Sequence, residues 1–522
     1  MVSSQECARL IQDGVISTGD ADISGIGVII SFLISAYVSF TAVLVAYMTG
    51  LVENVLLSSV DRRVLRIQTR IGRWPRTHET LRHVVLVLSD QQIVTGIAIM
   101  AAGFVGLQAG TISVYHYQIV LYLAWLSSSV HLSALTLLRP LLNQRKGLRA
   151  WRILGMAVLF VMLIIGLVPT VSNDWGIIYS PDADSSLPAA TRPSGWGIPA
   201  ICFWGKTWGD GVNNDAPIGY LILVLSYVWK MGDLFDWPRR AYNRGIRRPL
   251  YRFVTKMLLA PARRYTQNQK AIWLWSFRIL LIFCIPLIAF VEFLASFSAS
   301  LWLSALGLVY GTLQIVIPRY ENLAQTASSE ESWSFGQLVP LILLVQPIGA
   351  LSEHAWVRDD QESEGRTGDG NAQQRQSVDS HQKRFNEQPR KANRLADDSA
   401  MLNQAVSSER LICVLGQDRA LPMAQARLYE LSSTLPDIVL SSRLCKLVVI
   451  VLQLVILGGA CFILSLDAES IGYLRGQNWA LVLSIVGIYA VLTWGLVLLF
   501  APFSKLGRGM VKVKTGSPTC TE

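Results

Sequence analysis

Apolar residues in this chain come in long runs separated by short, mostly basic segments. Runs near 23–52, 84–107, 111–138, 153–171 and 217–231 are followed by two that divide 272–318. Another lies at 335–352, and two more at 444–466 and 479–500. Most are roughly 18 to 28 residues long, enough to cross a hydrocarbon core of about 30 Å at about 1.5 Å per residue. Backbone groups find no water inside lipid, so each run must satisfy its own hydrogen bonds, as a helix does. The pattern predicts an all-α fold, a polytopic transmembrane helix bundle of about 8–10 helices. The divisions expected are an outer N-terminal tail at 1–22, a seven- to eight-helix membrane core at 23–353, a hydrophilic linker at 354–440, a transmembrane hairpin at 441–503 and a basic tail at 504–522. The linker, rich in Asp, Gln, Ser, Arg and Asn, cannot bury enough apolar surface to offset its ordering entropy and is expected to be disordered.

Composition agrees with a membrane chain. Hydrophobic residues make up 52% and charged residues 16%, and the mean hydropathy is +0.39, too little charge for a soluble surface. A net charge of +10 would suit nucleic acid, but the basic residues fall between the apolar runs. Membrane topology explains them better, so the expected partner is the lipid bilayer and not nucleic acid. The loops holding Arg62–Arg82, Arg139–Arg152 and Arg239–Arg264 follow the first, third and fifth runs, which places all three in the cytosol if the N-terminus is outside or lumenal. No cleavable signal peptide is expected, since the first apolar run is too long for one. An endomembrane and the plasma membrane fit equally. Spans six and seven then return the chain to the cytosol at Arg319. The run at 335–352 carries Pro340 and Pro347, and is read as re-entrant so that linker and basic tail both lie in the cytosol.

Ionisable groups inside spans are costly and default to being functional or paired. Asp90 and His131 lie at similar depth in neighbouring spans, and Arg278 falls at the same level. An Asp90–Arg278 or Asp90–His131 pair is therefore expected, with Gln91, His116 and Gln118 extending a polar network that serves structure or binding. The third span is polar on two faces, which predicts a helix surrounded by protein. Asp233 and Asp236, at i and i+3 beside Arg239 and Arg240, have the spacing of a Mg²⁺–diphosphate site. With Asp90 they are the candidate catalytic residues of an intramembrane enzyme acting on an isoprenoid or lipid-like substrate, in the manner of a terpene cyclase or prenyltransferase. A second aspartate-rich motif is absent, and two acids at a helix end beside a basic loop need no catalysis. Outside that alternative no cofactor or metal is expected. The seven cysteines contain no Cys-x-x-Cys. The topology puts Cys7 and Cys202 on the outer side, where a disulfide between them and two free thiols are both consistent.

Several segments resemble a group of fungal multi-pass integral membrane proteins of unknown function. They are Asp22-Ile-Ser-Gly-Ile-Gly-Val28, Asp90-Gln-Gln-Ile-Val-Thr-Gly96, Tyr115-His-Tyr-Gln118, Leu123-Ala-Trp-Leu-Ser127 with His131, and Phe335-Gly-Gln337, spread over residues 22–353. The resemblance implies a shared seven- or eight-helix core and an accessory place in a specialised-metabolite pathway, and implies no activity. Three functional readings stand: a non-catalytic transport, receptor or scaffold component that takes a small-molecule or lipid ligand, the Mg²⁺-dependent enzyme, and a heptahelical sensor.

Overall fold

A computed structural model describes residues 3–172, 174–176, 193–205, 215–330, 333–346, 349, 439–440 and 443–465. Among these the fold is all-α, and six helices are long and apolar enough to cross a membrane. In chain order the helices are α1 (Ser4–Asp13), α2 (Ala21–Ser24), α3 (Ile26–Thr49), α4 (Ser59–Arg63), α5 (Pro75–Ala109), α6 (Val114–Gln144) and α7 (Lys146–Gly166). They continue as α8 (Asp215–Leu234), α9 (Asp236–Tyr242), α10 (Arg248–Asn268), α11 (Ala271–Leu294), α12 (Phe297–Glu330), α13 (Phe335–Leu343) and α14 (Arg443–Ser465). Most of the expected linker, the second helix of the expected hairpin and the basic tail lie outside the described residues.

Helix α6 is the axis of the bundle. Its residues are buried on every side, against α5, α12, α3, α7 and α8, which matches its polar residues on two faces. It starts where Ser113 caps it, the hydroxyl accepting from the His116 amide at 3.3 Å, just after Gly110 ends α5 in the left-handed conformation. Close packing against α5 depends on Gly96, where an added Cβ would stand 2.6 Å from Ser127 Cβ.

The bundle has two chemically distinct ends. At one, α1 is tied to the Ala200–Phe203 turn by a Cys7–Cys202 disulfide; the turn's backbone joins that before α6, Ala200 N donating to Ile112 O at 2.9 Å. The opposite, basic end carries the arginine-rich loops. There Asp61 on α4 is fully buried. It accepts from Tyr47 Oη at 2.6 Å and from the Phe297 amide at 3.0 Å, so it joins the end of α3 to the start of α12. A carboxylate at a helix N-terminus is favoured by the unpaired amides and the helix dipole.

Two expectations about chain direction are corrected here. Helix α12 runs antiparallel to α6, from Ser300 beside Thr136 (3.1 Å) to Gln314 beside Gln118 (2.8 Å). Arg319 therefore sits at the disulfide end, 2.9 Å from the Glu330 carboxylate. Glu330 also accepts from Ser24 and Tyr115 there, so Arg319 does not return to the basic side. The run from 335 likewise begins at the disulfide end, where the Gly27 amide donates to Gln337 Oε1 at 2.9 Å. The reason lies in α10, which hydropathy alone reads as a loop. It packs antiparallel along α11: Arg247 pairs with Glu292 at 2.7 Å, and Arg264 lies over the Trp273 ring at 4.5 Å. The α10–α11 hairpin thus leaves and rejoins the bundle at the same end. With α4, Val439, Leu440 and α14 it forms a second apolar cluster, separate from the one around α6.

Candidate functional site

Lys230 lies one turn from the end of α8, and only 3% of it is exposed. Its ammonium donates to Thr136 Oγ1 at 2.7 Å, to the Ser300 carbonyl at 2.9 Å and to Ser300 Oγ. All three acceptors are neutral, and Asp233 one turn on supplies the nearby negative charge. Protonated, an amine held this way in the low dielectric between helices presents a strong field to an anion.

Lys230 forms part of the wall of a cavity of about 370 Å³ at the basic end. Leu57, Leu135, Val228, Trp229 and Phe297 provide apolar surface. Arg62, Arg139, Arg247, Asp233 and Glu292 provide charge, so four cations face two carboxylates. Glu292 is already engaged, accepting from Arg247 Nε at 2.7 Å and Nη2 at 3.0 Å and from Tyr251 Oη. Burial and then the Glu292 charge push the Tyr251 phenol above its ordinary range, so it remains a donor. The volume and mixed lining suit a small amphipathic molecule.

Behind Lys230 the seam between α6, α8 and α12 mixes serines with Trp125, Leu132, Leu223 and Leu303. A void of about 10 Å³ is lined by Ser128, Ser129, Ser226 and Ser304, close to the volume of one water. Beyond it the Trp125 indole donates to the Gly307 carbonyl at 2.8 Å, and the Tyr122 and Tyr310 rings meet edge to face at 5.9 Å. Gln118 then donates to Gln314 at 2.8 Å and accepts from the Trp175 indole at 2.9 Å. Aromatic rings therefore close the seam toward the disulfide end.

Of the other expected residues, Asp90 and His131 lie on a separate spine between α5, α6 and α7. Asp90 pairs with Arg152, Nη2 to Oδ1 at 2.5 Å, and not with Arg278 or His131. Arg152 also donates to the Leu86 carbonyl at 3.1 Å and to Ser89 Oγ at 3.4 Å. Ser89 Oγ lies 2.7 Å from His131 Nδ1. Arg278 is buried on α11, between Phe277 and Leu281 of the second cluster. Asp90 and His131 lie on the same spine, whereas Arg278, near the start of α11, lies toward the far end of the α10–α11 hairpin from the basic end, so its expected equal depth is corrected. Gln91 Oε1, His131 Nε2 and Arg152 Nε are buried without a hydrogen-bond partner. His116 instead bonds its own cap, Nδ1 to Ser113 Oγ at 2.7 Å.

Between Asp233 and Asp236 the helix is interrupted at Phe235. Pro238 explains the break: it has no N–H for the Leu234 carbonyl, and its ring crowds that position. Asp233 lines the cavity, whereas the side chain of Asp236 lies outside the described residues. Among the described residues no group of three or more His, Cys, Asp or Glu side chains converges to hold a metal ion. Sequence reading missed Lys230 and Arg152 because each stands near the end of an apolar run, where a cation reads as a boundary marker. Their only signal was being a turn inside the helix that follows or precedes the basic loop.

Two fungal proteins of Elsinoe fawcettii are similar to this chain. Elsinochromes biosynthesis cluster protein HP3 is 40% identical over 115 residues, which cover 22% of this chain and 45% of that protein. Elsinochromes biosynthesis cluster protein HP2 is 26% identical over 235 residues, covering 38% of this chain and 60% of that protein. The chain thus spans about half of the lengths of these relatives. No family model matches the chain, and no solved structure matches it. Among the described residues the chain is α-helical with six helices apt for a membrane, and these two relatives are named for a fungal biosynthesis cluster.

Proposed function

We propose that the protein is a non-catalytic membrane carrier for a small anionic metabolite, a carboxylate or phenolate with an apolar body, in fungal specialised metabolism. The basic end faces the cytosol in this reading, and the N-terminus faces outside or the lumen. The observation that carries it is Lys230: a buried ammonium bonded to neutral oxygens, facing a mixed apolar and cationic cavity on one side and a serine-lined void on the other. An anion entering from the basic end would exchange water for this field and cover the apolar wall. The aromatic closure beyond makes this the conformation open to the basic end. The biosynthesis-cluster names of the relatives support a metabolite as cargo.

The test is a thermal shift of the purified protein in detergent, with aromatic and aliphatic carboxylates beside their methyl esters. A carboxylate at 100 times its dissociation constant should stabilise by about 2.7 kcal/mol, and its ester should not. Lys230→Met should abolish the shift, and Arg62→Gln at the mouth should weaken it. Esters as effective as acids, or unchanged carboxylate binding by Lys230→Met, would refute the proposal.

A further inference from the structure

A second cavity, of about 580 Å³, opens where α3, α12 and α14 meet at the basic end. It uses a different face of α12 from the Lys230 seam: Ser298, Leu301, Trp302 and Ala305 recur at helical spacing. Phe40, Leu44 and Met48 continue the apolar wall along α3 for roughly 12 Å. The rim is cationic and built to hold its shape. The segment from Leu65 to Arg70 folds across the end of α3, with the Ile67 amide donating to the Asp61 carbonyl at 3.0 Å and the Arg70 amide to the Gly50 carbonyl at 2.8 Å. Thr69 Oγ1 donates to the Val52 carbonyl at 3.0 Å and to Asn54 Oδ1 at 2.7 Å. Only glycine fits at position 50, where φ is +76° and a Cβ would stand 2.1 Å from the Gln68 carbonyl oxygen.

Arg66 itself has φ of 59°, a left-handed conformation that costs a non-glycine residue and persists where surroundings enforce it. Arg66 and Arg70 are both exposed, and among the described residues neither has an ion-pair partner. Within the cavity, Gln453 Nε2 is buried without a hydrogen-bond partner, a donor left unsatisfied at a cost that an incoming acceptor would remove.

The geometry points to a site for one anionic phospholipid. Its phosphate would sit on Arg66 and Arg70, one acyl chain would lie along Phe40, Leu44, Leu301 and Ala305, and an ester carbonyl would accept from Gln453. Charge complementarity selects an anionic headgroup, and the apolar length below the arginines selects a chain-bearing ligand over free phosphate.

The test is native mass spectrometry of the full chain in mild detergent, with dioleoyl phosphatidylserine or dioleoyl phosphatidylcholine added. The wild type should retain one phosphatidylserine in preference to phosphatidylcholine. Arg66→Gln with Arg70→Gln, at exposed positions, should lower that retention by roughly tenfold or more. Ala305→Trp, which fills the apolar slot and leaves both arginines, should lower it as well. Equal retention of the two lipids by the wild type, or retention unchanged in both variants, overturns the site. A wild-type dimer that Ala305→Trp dissociates, with lipid retention unchanged, would assign the groove to a second copy of the chain instead.

Discussion

Asp90→Asn isolates one electrostatic contact of the membrane core, the Asp90–Arg152 pair. It removes a carboxylate 2.5 Å from a guanidinium whose side chain is 0% exposed, and leaves that cation without a counter-charge. Breaking a fully buried ion pair by removing one partner costs about 3–5 kcal/mol. Here Asp90 is 33% exposed, and Arg152 keeps the Leu86 carbonyl and Ser89 Oγ as neutral acceptors, so the expected loss is about 2–3 kcal/mol. Unfolding in mixed detergent micelles, followed by helical circular dichroism, measures it. Adding Arg152→Met should recover at least half of the loss, because the unpaired charge is then gone and an apolar side chain fills the space. Adding Arg278→Met should instead be additive to within about 0.5 kcal/mol, as for sites with no shared partners. A stable Asp90→Asn protein, or a rescue by Arg278→Met and not by Arg152→Met, would refute the assignment of this pair.

Three other outcomes are expected. Cys202→Ser should abolish the mobility difference between reduced and oxidised gels and cost about 2–5 kcal/mol, since the bond links positions 195 residues apart. Glu330→Gln should cost about 1–3 kcal/mol in the same unfolding assay, because Arg319 loses its counter-charge while Ser24 and Tyr115 keep an acceptor; no change would mean the cluster does not hold α12 to α2 and α6. At the basic end, burial and then the Glu292 charge push the Tyr242 phenol up to about 12. A folded-state value raised above the unfolded one gives stability that is complete below about pH 10 and lost as pH rises toward 12. Tyr242→Phe should flatten that alkaline limb of the stability profile, and an identical limb in the variant would remove Tyr242 as its source.

Much of the fold follows from local physics. A long apolar run in lipid has few backbone solutions besides a helix, so the helical state of α3, α5, α6 and α7 was legible from run length, while α5, α6 and α7 extend beyond their apolar runs into the basic segments. The same holds for the placing of α6 among other helices, since polar residues on two of its faces need protein partners. Cys7 and Cys202 were brought to one end by counting crossings, and the structure joins them.

The sequence alone determined that the long apolar runs are helical, because run length depends only on neighbours along the chain. Which helix pairs with which, and in what direction, belongs to the tertiary structure. Helix α10, amphipathic and cationic, turned out to be the antiparallel partner of α11. That placement reverses α12 relative to a simple alternation of apolar runs and carries Arg319 to the opposite end. Asp90 pairs with Arg152 because its carboxylate faces α7, whereas Arg278 lies on α11 beside the second apolar cluster, a placement that the order of apolar runs does not specify. Lys230 became a candidate binding group only when α6 and α12 brought Thr136 and Ser300 around it, a contact between residues 70 and 94 positions apart from it that no local pattern encodes.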